Sequence, residues 1–252
     1  MNPKEKYAHK ALMYDMLSNY YKYVDPAKHI LYYQKHLKAL QQLMSAGQHD
    51  HRDHHSQQLN LGMSKVRILH ASPDAPSVDI YLNGKVTLKN VTFKQLSDYF
   101  QLPAGNYRID IFPTGNQSRP VLSEMLLLMP ASTYTIAASG RASNLKLLPF
   151  IDQPFISAGE TKVRVVHLSP DAPAVDIAIK DGDVLFKNVS FLDATTFLTV
   201  SPRKVDLEVR VAGTNSVVLT VRKVQFKADR AFTVFAVGFA NGTPSLDLII
   251  TS

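Results

Sequence analysis

The chain has 252 residues, of which 45% are hydrophobic and 19% charged, with no cysteine and no tryptophan. That composition is ordinary for a globular protein with room for two or three domains, and it excludes disulfides, thiolate metal sites, cysteine nucleophiles and indole stacking platforms. The net charge of +7 divides as +3 over residues 1–64, +4 over 65–151 and 0 over 152–252, without the dense basic clusters of a nucleic-acid footprint, so no nucleic-acid partner is expected.

Residues 1–7 show no apolar core and no small-residue cleavage site, so no signal peptide is expected. No run approaches eighteen apolar residues, so no membrane insertion is expected either. Residues 1–46 read as a helical hairpin. Asp25-Pro26 marks its break, since Asp caps a helix start and Pro fits the first helical position. Met13, Leu17, Tyr20 and Val24 form one apolar stripe, and Ile30, Tyr33, Leu37, Leu40 and Met44, spaced three and four apart, form the other. Both stripes are narrow, of coiled-coil width. Two such helices bury too little surface alone, so the hairpin is expected to dock or to self-associate as a homodimer through residues 4–46.

Residues 47–64 are polar, His-rich and aperiodic, and read as a linker. His49, His51, His54 and His55 within it are candidate ligands for Zn2+, Ni2+ or Cu2+. Their spacing of two, three and one matches no ordered structural zinc site, and a solvated linker is the plainer reading.

Residues 65–151 alternate like β-strands. Val66, Ile68 and His70 alternate with Arg67 and Leu69. Ser72-Pro73-Asp74-Ala75-Pro76 then stops the strand: two fixed φ angles and two missing donors cannot sit mid-sheet, so the segment reads as a rigid corner. Val78, Ile80 and Leu82 resume the alternation up to an Asn83-Gly84 turn signal. About seven short strands in this span indicate an immunoglobulin-like sandwich. After a short linker, 152–161, expected to allow limited reorientation, residues 162–252 repeat the pattern. Val163–Ile177 matches Val66–Ile80 at eleven of fifteen positions. Phe232–Phe239 is apolar on both faces and reads as a central strand. The fold class is therefore mainly β: two tandem immunoglobulin-like β-sandwich domains preceded by an α-helical hairpin.

The repeated His-x-Ser-Pro-Asp-Ala-Pro corner, the Val-Asp-Ile after it and the Asn-Val-Thr-Phe and Asn-Val-Ser-Phe segments make both β regions resemble the bacterial family known as domain of unknown function 4397. The resemblance covers about 70% of the chain. It implies a β-sandwich, often in tandem and often in envelope-associated or secreted proteins, and it carries no established activity or catalytic residue.

Two recurring side-chain sets are candidate binding residues. His70 with Asp79, and His167 with Asp176, fall on neighbouring strands and read either as acid/base or metal-ligand pairs or as hydrogen bonds pinning the corner. Asp74 and Asp171 read as turn formers or as binding carboxylates. Asn90-Val91-Thr92 and Asn188-Val189-Ser190 match the glycosylation sequon, but a turn beside a strand explains them. Phosphate loops, nucleophile elbows and H-E-x-x-H are missing from the sequence, so no enzyme is expected. The expectation is a non-catalytic binding or structural protein presenting its sandwiches to a protein or envelope polymer. The alternative is a metal-binding protein using the His-rich linker or the His–Asp pairs. The sequence leaves localisation open, between cytoplasm and cell surface or spore.

Overall fold

Strand β1 (Met63–His70) keeps the alternation read from the sequence, yet both of its faces are buried: Val66 and Ile68 on one, Leu69 on the other. The reason is that each sandwich also packs on its twin. In the computed structural model, which describes residues 3–21, 26–45, 62–152 and 156–252, the chain forms two compact units, Met1–Gln58 and Leu59–Ser252.

The second unit holds both sandwiches. The first is built from β1, β2 (Val78–Leu82), β3 (Lys85–Val91), β4 (Phe100–Pro103), β5 (Gly105–Pro113), β6 (Leu122–Leu128), β7 (Thr133–Ser139) and β8 (Lys146–Ile151). They form two four-stranded sheets, ordered β4-β1-β7-β8 and β3-β2-β5-β6. The second sandwich repeats this with β9 (Thr161–His167), β10 (Val175–Ile179), β11 (Val184–Val189), β12 (Leu198–Val200), β13 (Arg203–Val211), β14 (Val217–Phe226), β15 (Arg230–Val237) and β16 (Asp247–Thr251), ordered β12-β9-β15-β16 and β11-β10-β13-β14. The two repeats share a parallel pair at the centre of one sheet, β1 with β7 and β9 with β15; the other strand pairs are antiparallel. In each repeat the proline corner carries the chain from one sheet to the other, as two consecutive ring-locked φ values suit.

Each sandwich has its own core, with Val66, Ile68, Ile80, Ile109, Ile111 and Ile136 in the first and Val163, Val165, Ile177, Leu207, Val209 and Val234 in the second. A third core joins them. Leu69, Ala71, Ala137 and Phe150 meet Val166, Leu168, Phe235 and Val237. Burying a large apolar side chain contributes about 1.5–3 kcal/mol relative to exposure, so this layer fixes the two sandwiches against each other, and the reorientation expected of the 152–161 linker gives way to a packed interface. It also explains β15, whose Phe232 and Val234 enter the second core while Phe235 and Val237 enter the third.

In the first unit, α1 (Pro3–Tyr21) and α2 (Pro26–Ser45) close on small side chains: Ala11, Ser18 and Ala39 are buried. His36 Nδ1 donates to the Ala11 carbonyl at 2.9 Å, and Tyr14 stacks on Tyr32 with Lys35 over both rings. The stripe expected to close the hairpin is instead open on its outer side, with Tyr33 51% and Leu37 47% exposed. Small residues let the helix backbones approach, with Leu17 and Leu40 half-buried beside them and Tyr33 and Leu37 left outside the seam. Among the described residues no helix is long and apolar enough to cross a membrane.

Candidate functional site

The two proline corners carry the polar side chains that recur in both repeats. His70 and His167 are both buried. Each Nε2 lies against a carbonyl of its own corner, Pro76 at 3.1 Å and Pro173 at 3.2 Å. A carbonyl only accepts, so Nε2 carries a proton in both rings. Burial pushes both pKa values below the usual histidine range, with the corner carbonyl opposing part of the shift. His70 Nδ1 is buried without a partner, whereas His167 Nδ1 accepts the Ser169 N–H at 3.3 Å. Phe93 and Phe191 pack edge-on against the two rings.

The aspartates that pair with these histidines in sequence have other partners in space. Asp79 Oδ1 accepts the Asn90 N–H at 2.8 Å and the Thr114 hydroxyl at 3.1 Å. Asp176 accepts the Asn188 N–H at 2.7 Å and the Gly213 N–H at 3.0 Å. Asn90 and Asn188 sit at left-handed φ, 52° and 51°, a conformation that asparagine tolerates better than most residues. Recurrence of Asn-Val-Thr and Asn-Val-Ser therefore follows from backbone geometry. The histidine pins the corner and the aspartate pins the end of β3 or β11, and no bond between the two is formed.

Asp74 and Asp171 tie the corner to the loop leaving the parallel strand. Asp74 Oδ1 accepts the Ala142 N–H at 2.8 Å, and Asp171 accepts the Ala240 and Asn241 N–H groups at 2.7 and 3.0 Å. Both loops begin at a glycine in the left-handed region, Gly140 and Gly238. The two corner–loop assemblies meet at the same end of the inter-sandwich layer. Ser139 Oγ donates to the Leu168 carbonyl across it at 3.3 Å, and the Arg141 guanidinium lies over the Phe239 ring at 4.9 Å. The result is one polar rim built from both repeats, with Asp74, Arg141, Ser143, Asn144 and Asn241 exposed.

Sequence reasoning missed a buried charged cluster along the same layer. Arg67 Nε donates to Thr135 Oγ1 at 2.8 Å and Arg164 Nε to Thr233 Oγ1 at 3.0 Å, each within its own sheet. Each then crosses to the twin: Arg67 Nη1 donates to Thr251 Oγ1 at 2.8 Å and Arg164 Nη1 to the Ile151 carbonyl at 2.7 Å. Asp152 takes both cations, Arg164 through Nη2 and Arg67 at 3.7 Å, and also accepts from Thr135 and from Tyr99. Burial, with the Asp152 charge beside it, raises the Tyr99 phenol to about 12. Arg67 and Arg164 recur at the same place in the repeat, which was the available signal.

Among the described residues no group of three or more His, Asp or Glu is placed to hold a metal ion. His49, His51, His54 and His55 lie outside the described residues.

No curated protein matches the chain. Among solved structures it is similar to the Bacillus anthracis TIE protein, with 9% identity and a TM-score of 0.22 over 71% of this chain and 34% of that one; the chain thus spans about a third of that protein's length. It is similar also to the family 26 carbohydrate-binding module CBMbc of Eubacterium rectale Amy13K, in complex with maltoheptaose, with 10% identity, a TM-score of 0.23, and coverage of 75% and 97%. A Bacteroides fragilis NCTC 9343 protein whose name proposes a role in cell adhesion follows, with 11% identity, a TM-score of 0.20, and coverage of 75% and 97%. Residues 64–178, from β1 into β10 and so across both proline corners, match the model of the family described as Domain of unknown function (DUF4397).

Proposed function

We propose that the protein is a non-catalytic binding module that presents the rim formed by its two corner–loop assemblies to a protein or an envelope polymer at the cell surface or spore. The observation that carries this reading is the convergence of both repeats on one rim, with Arg141 of the first stacked on Phe239 of the second. Rigid corners hold exposed loops in place, the arrangement by which a scaffold positions recognition residues. Beneath the rim, His70, His167, Asp79 and Asp176 hold the corner and strand ends through hydrogen bonds to backbone groups. Co-sedimentation of the full chain with insoluble cell-wall polymer tests it. The wild type is expected to pellet with the polymer and Arg141→Ala with Asn241→Ala to remain in the supernatant; a wild-type chain left in the supernatant, or variants that pellet equally, overturns the reading.

The hairpin supports assembly. Tyr33 and Leu37, one helical turn apart on α2, are half exposed on the same side, a stripe suited to a second hairpin and hence to a homodimer. Tyr33→Lys with Leu37→Lys is expected to remove that contact in light scattering. Metal binding rests on His49, His51, His54 and His55 alone. Titration of the full chain with Zn2+ and Cu2+ in a calorimeter, against a chain with those four changed to alanine, decides it: equal heats dismiss the linker as a metal site.

A further inference from the structure

Among the described residues eight strands lie at sheet edges, and seven of them carry features that discourage further pairing. β4 and β12 are only four and three residues long. β8 contains Pro149, which lacks a backbone donor. The β3, β11 and β14 edges have register shifts against their neighbours, and Lys223 of β14 sits at a left-handed φ of 61°. β16 is short, with Thr251 taken by Arg67 and Asp247 by Lys94. β6 has none of these features. Its seven residues pair with β5 in unbroken register from Leu122 to Leu128, its single charge is Glu124, and its outer side chains are apolar and open, Met125 at 66% and Leu127 at 54% exposure.

The contrast with β14, the strand at the same place in the second repeat, shows that the fold can carry a bulged, charged strand here. We infer that β6 is a pairing edge and that its occupant is the β6 strand of a second copy, antiparallel, with the two-fold axis at Leu126. Self-complementarity selects this partner. In that register Met125 of each copy lies opposite Leu127 of the other, twice by symmetry, and Leu126 meets Leu126. Glu124 lies opposite Leu128, so no like charges face each other across the ladder. The pairing extends the β3-β2-β5-β6 sheet into one of eight strands, supplies partners to the open backbone groups of the edge, and covers the exposed side chains of Met125 and Leu127. It uses neither the corner rim nor the hairpin.

Light scattering on the full chain is expected to give at least twice the 28.1 kDa of one copy, and Met125→Lys with Leu127→Lys to lower that mass at least twofold. Both side chains are exposed, so circular dichroism of the variant should match the wild type. The cysteine-free sequence allows a second test of register that does not depend on the lysine variant. Under mild oxidation, Met125→Cys with Leu127→Cys in one chain should form a covalent dimer on a non-reducing gel. Either cysteine alone, about 7–8 Å from its symmetry mate on the diagonal, should cross-link far less. The same cross-link should form when Tyr33→Lys and Leu37→Lys are present, which separates this contact from hairpin pairing. A monomeric full chain, a mass unmoved by the lysine pair, or single and double cysteine variants that cross-link alike overturns the inference.

Discussion

Arg164 of the second sandwich sits on the carboxylate of Asp152, which ends the first, with the two side chains only 6% and 7% exposed. The pair is the electrostatic half of a joint whose apolar half is the layer of Leu69, Phe150, Val166 and Phe235. Burial pulls the Arg164 pKa down and the Asp152 charge opposes that pull, so the cation depends on its partner. Asp152→Ala leaves two guanidiniums buried without an anion and is expected to destabilise the sandwich unit by about 3–5 kcal/mol. Urea denaturation measures it; a midpoint within error of wild type would show that the joint rests on apolar packing alone.

His70 and His167 set a pH dependence whose sign follows from burial. In the folded state burial holds both below the ordinary histidine value of 6.5, which the unfolded chain keeps. Above that pH neither state gains a proton. Below it the unfolded chain protonates first, so stability falls as pH drops from about 6.5 toward the folded-state values and levels off beneath them. Denaturation midpoints from pH 7.5 to 5 should fall in wild type. The fall should be shallower in His70→Gln and His167→Gln, and equal slopes in all three would exclude the imidazoles as its source.

Gly238 begins the loop that Asp171 holds, at φ 91°, and a Cβ there would lie 2.3 Å from the Ser245 carbonyl oxygen. Gly140 is its counterpart in the first repeat, at φ 98°, with the Asn144 carbonyl oxygen 2.6 Å from the same added atom. Gly238→Ala is therefore expected to cost about 2–3 kcal/mol through strain and a displaced loop, while Gly213→Ala, where the space is open, should cost less. Thermal unfolding of the two variants ranks them.

The duplicated sandwich, the proline corner and the central position of Phe232–Phe239 were all legible, because alternation, paired prolines and a repeat with eleven identities in fifteen report local geometry. The joint between the sandwiches was not. A strand buried on both faces and a strand with scattered apolar residues on its solvent side look alike at Arg67 and Leu69, and arginine at an alternating position reads as exposed unless its anion is known. Asp152 lies far from Arg67 in sequence and inside a stretch that reads as linker. The pairing of His70 with Asp79 failed for a related reason: recurrence showed that both matter to the fold without showing that they matter to each other. The open side of the hairpin was hidden because the sequence shows the apolar stripe but not that Ala11 and Ala39 set the seam.

The last prediction separates the two devices that hold the corner. Pro170 and Pro173 act through the unfolded chain, by restricting φ before folding, and changing both to alanine is expected to cost about 1–2 kcal/mol. His167 acts in the folded state: its ring fills a fully buried position and its Nε2–H satisfies the Pro173 carbonyl. His167→Ala removes the ring and strands that carbonyl and the Ser169 N–H, which should cost about 3–4 kcal/mol from cavity and lost hydrogen bonds together. The alanine at 173 still offers a backbone carbonyl, so in the proline variants the histidine bond survives. Denaturation midpoints should thus fall modestly for the double proline variant and steeply for His167→Ala. The reverse order would mean that the corner is held chiefly by chain stiffness and that the repeated histidine serves the rim above it instead.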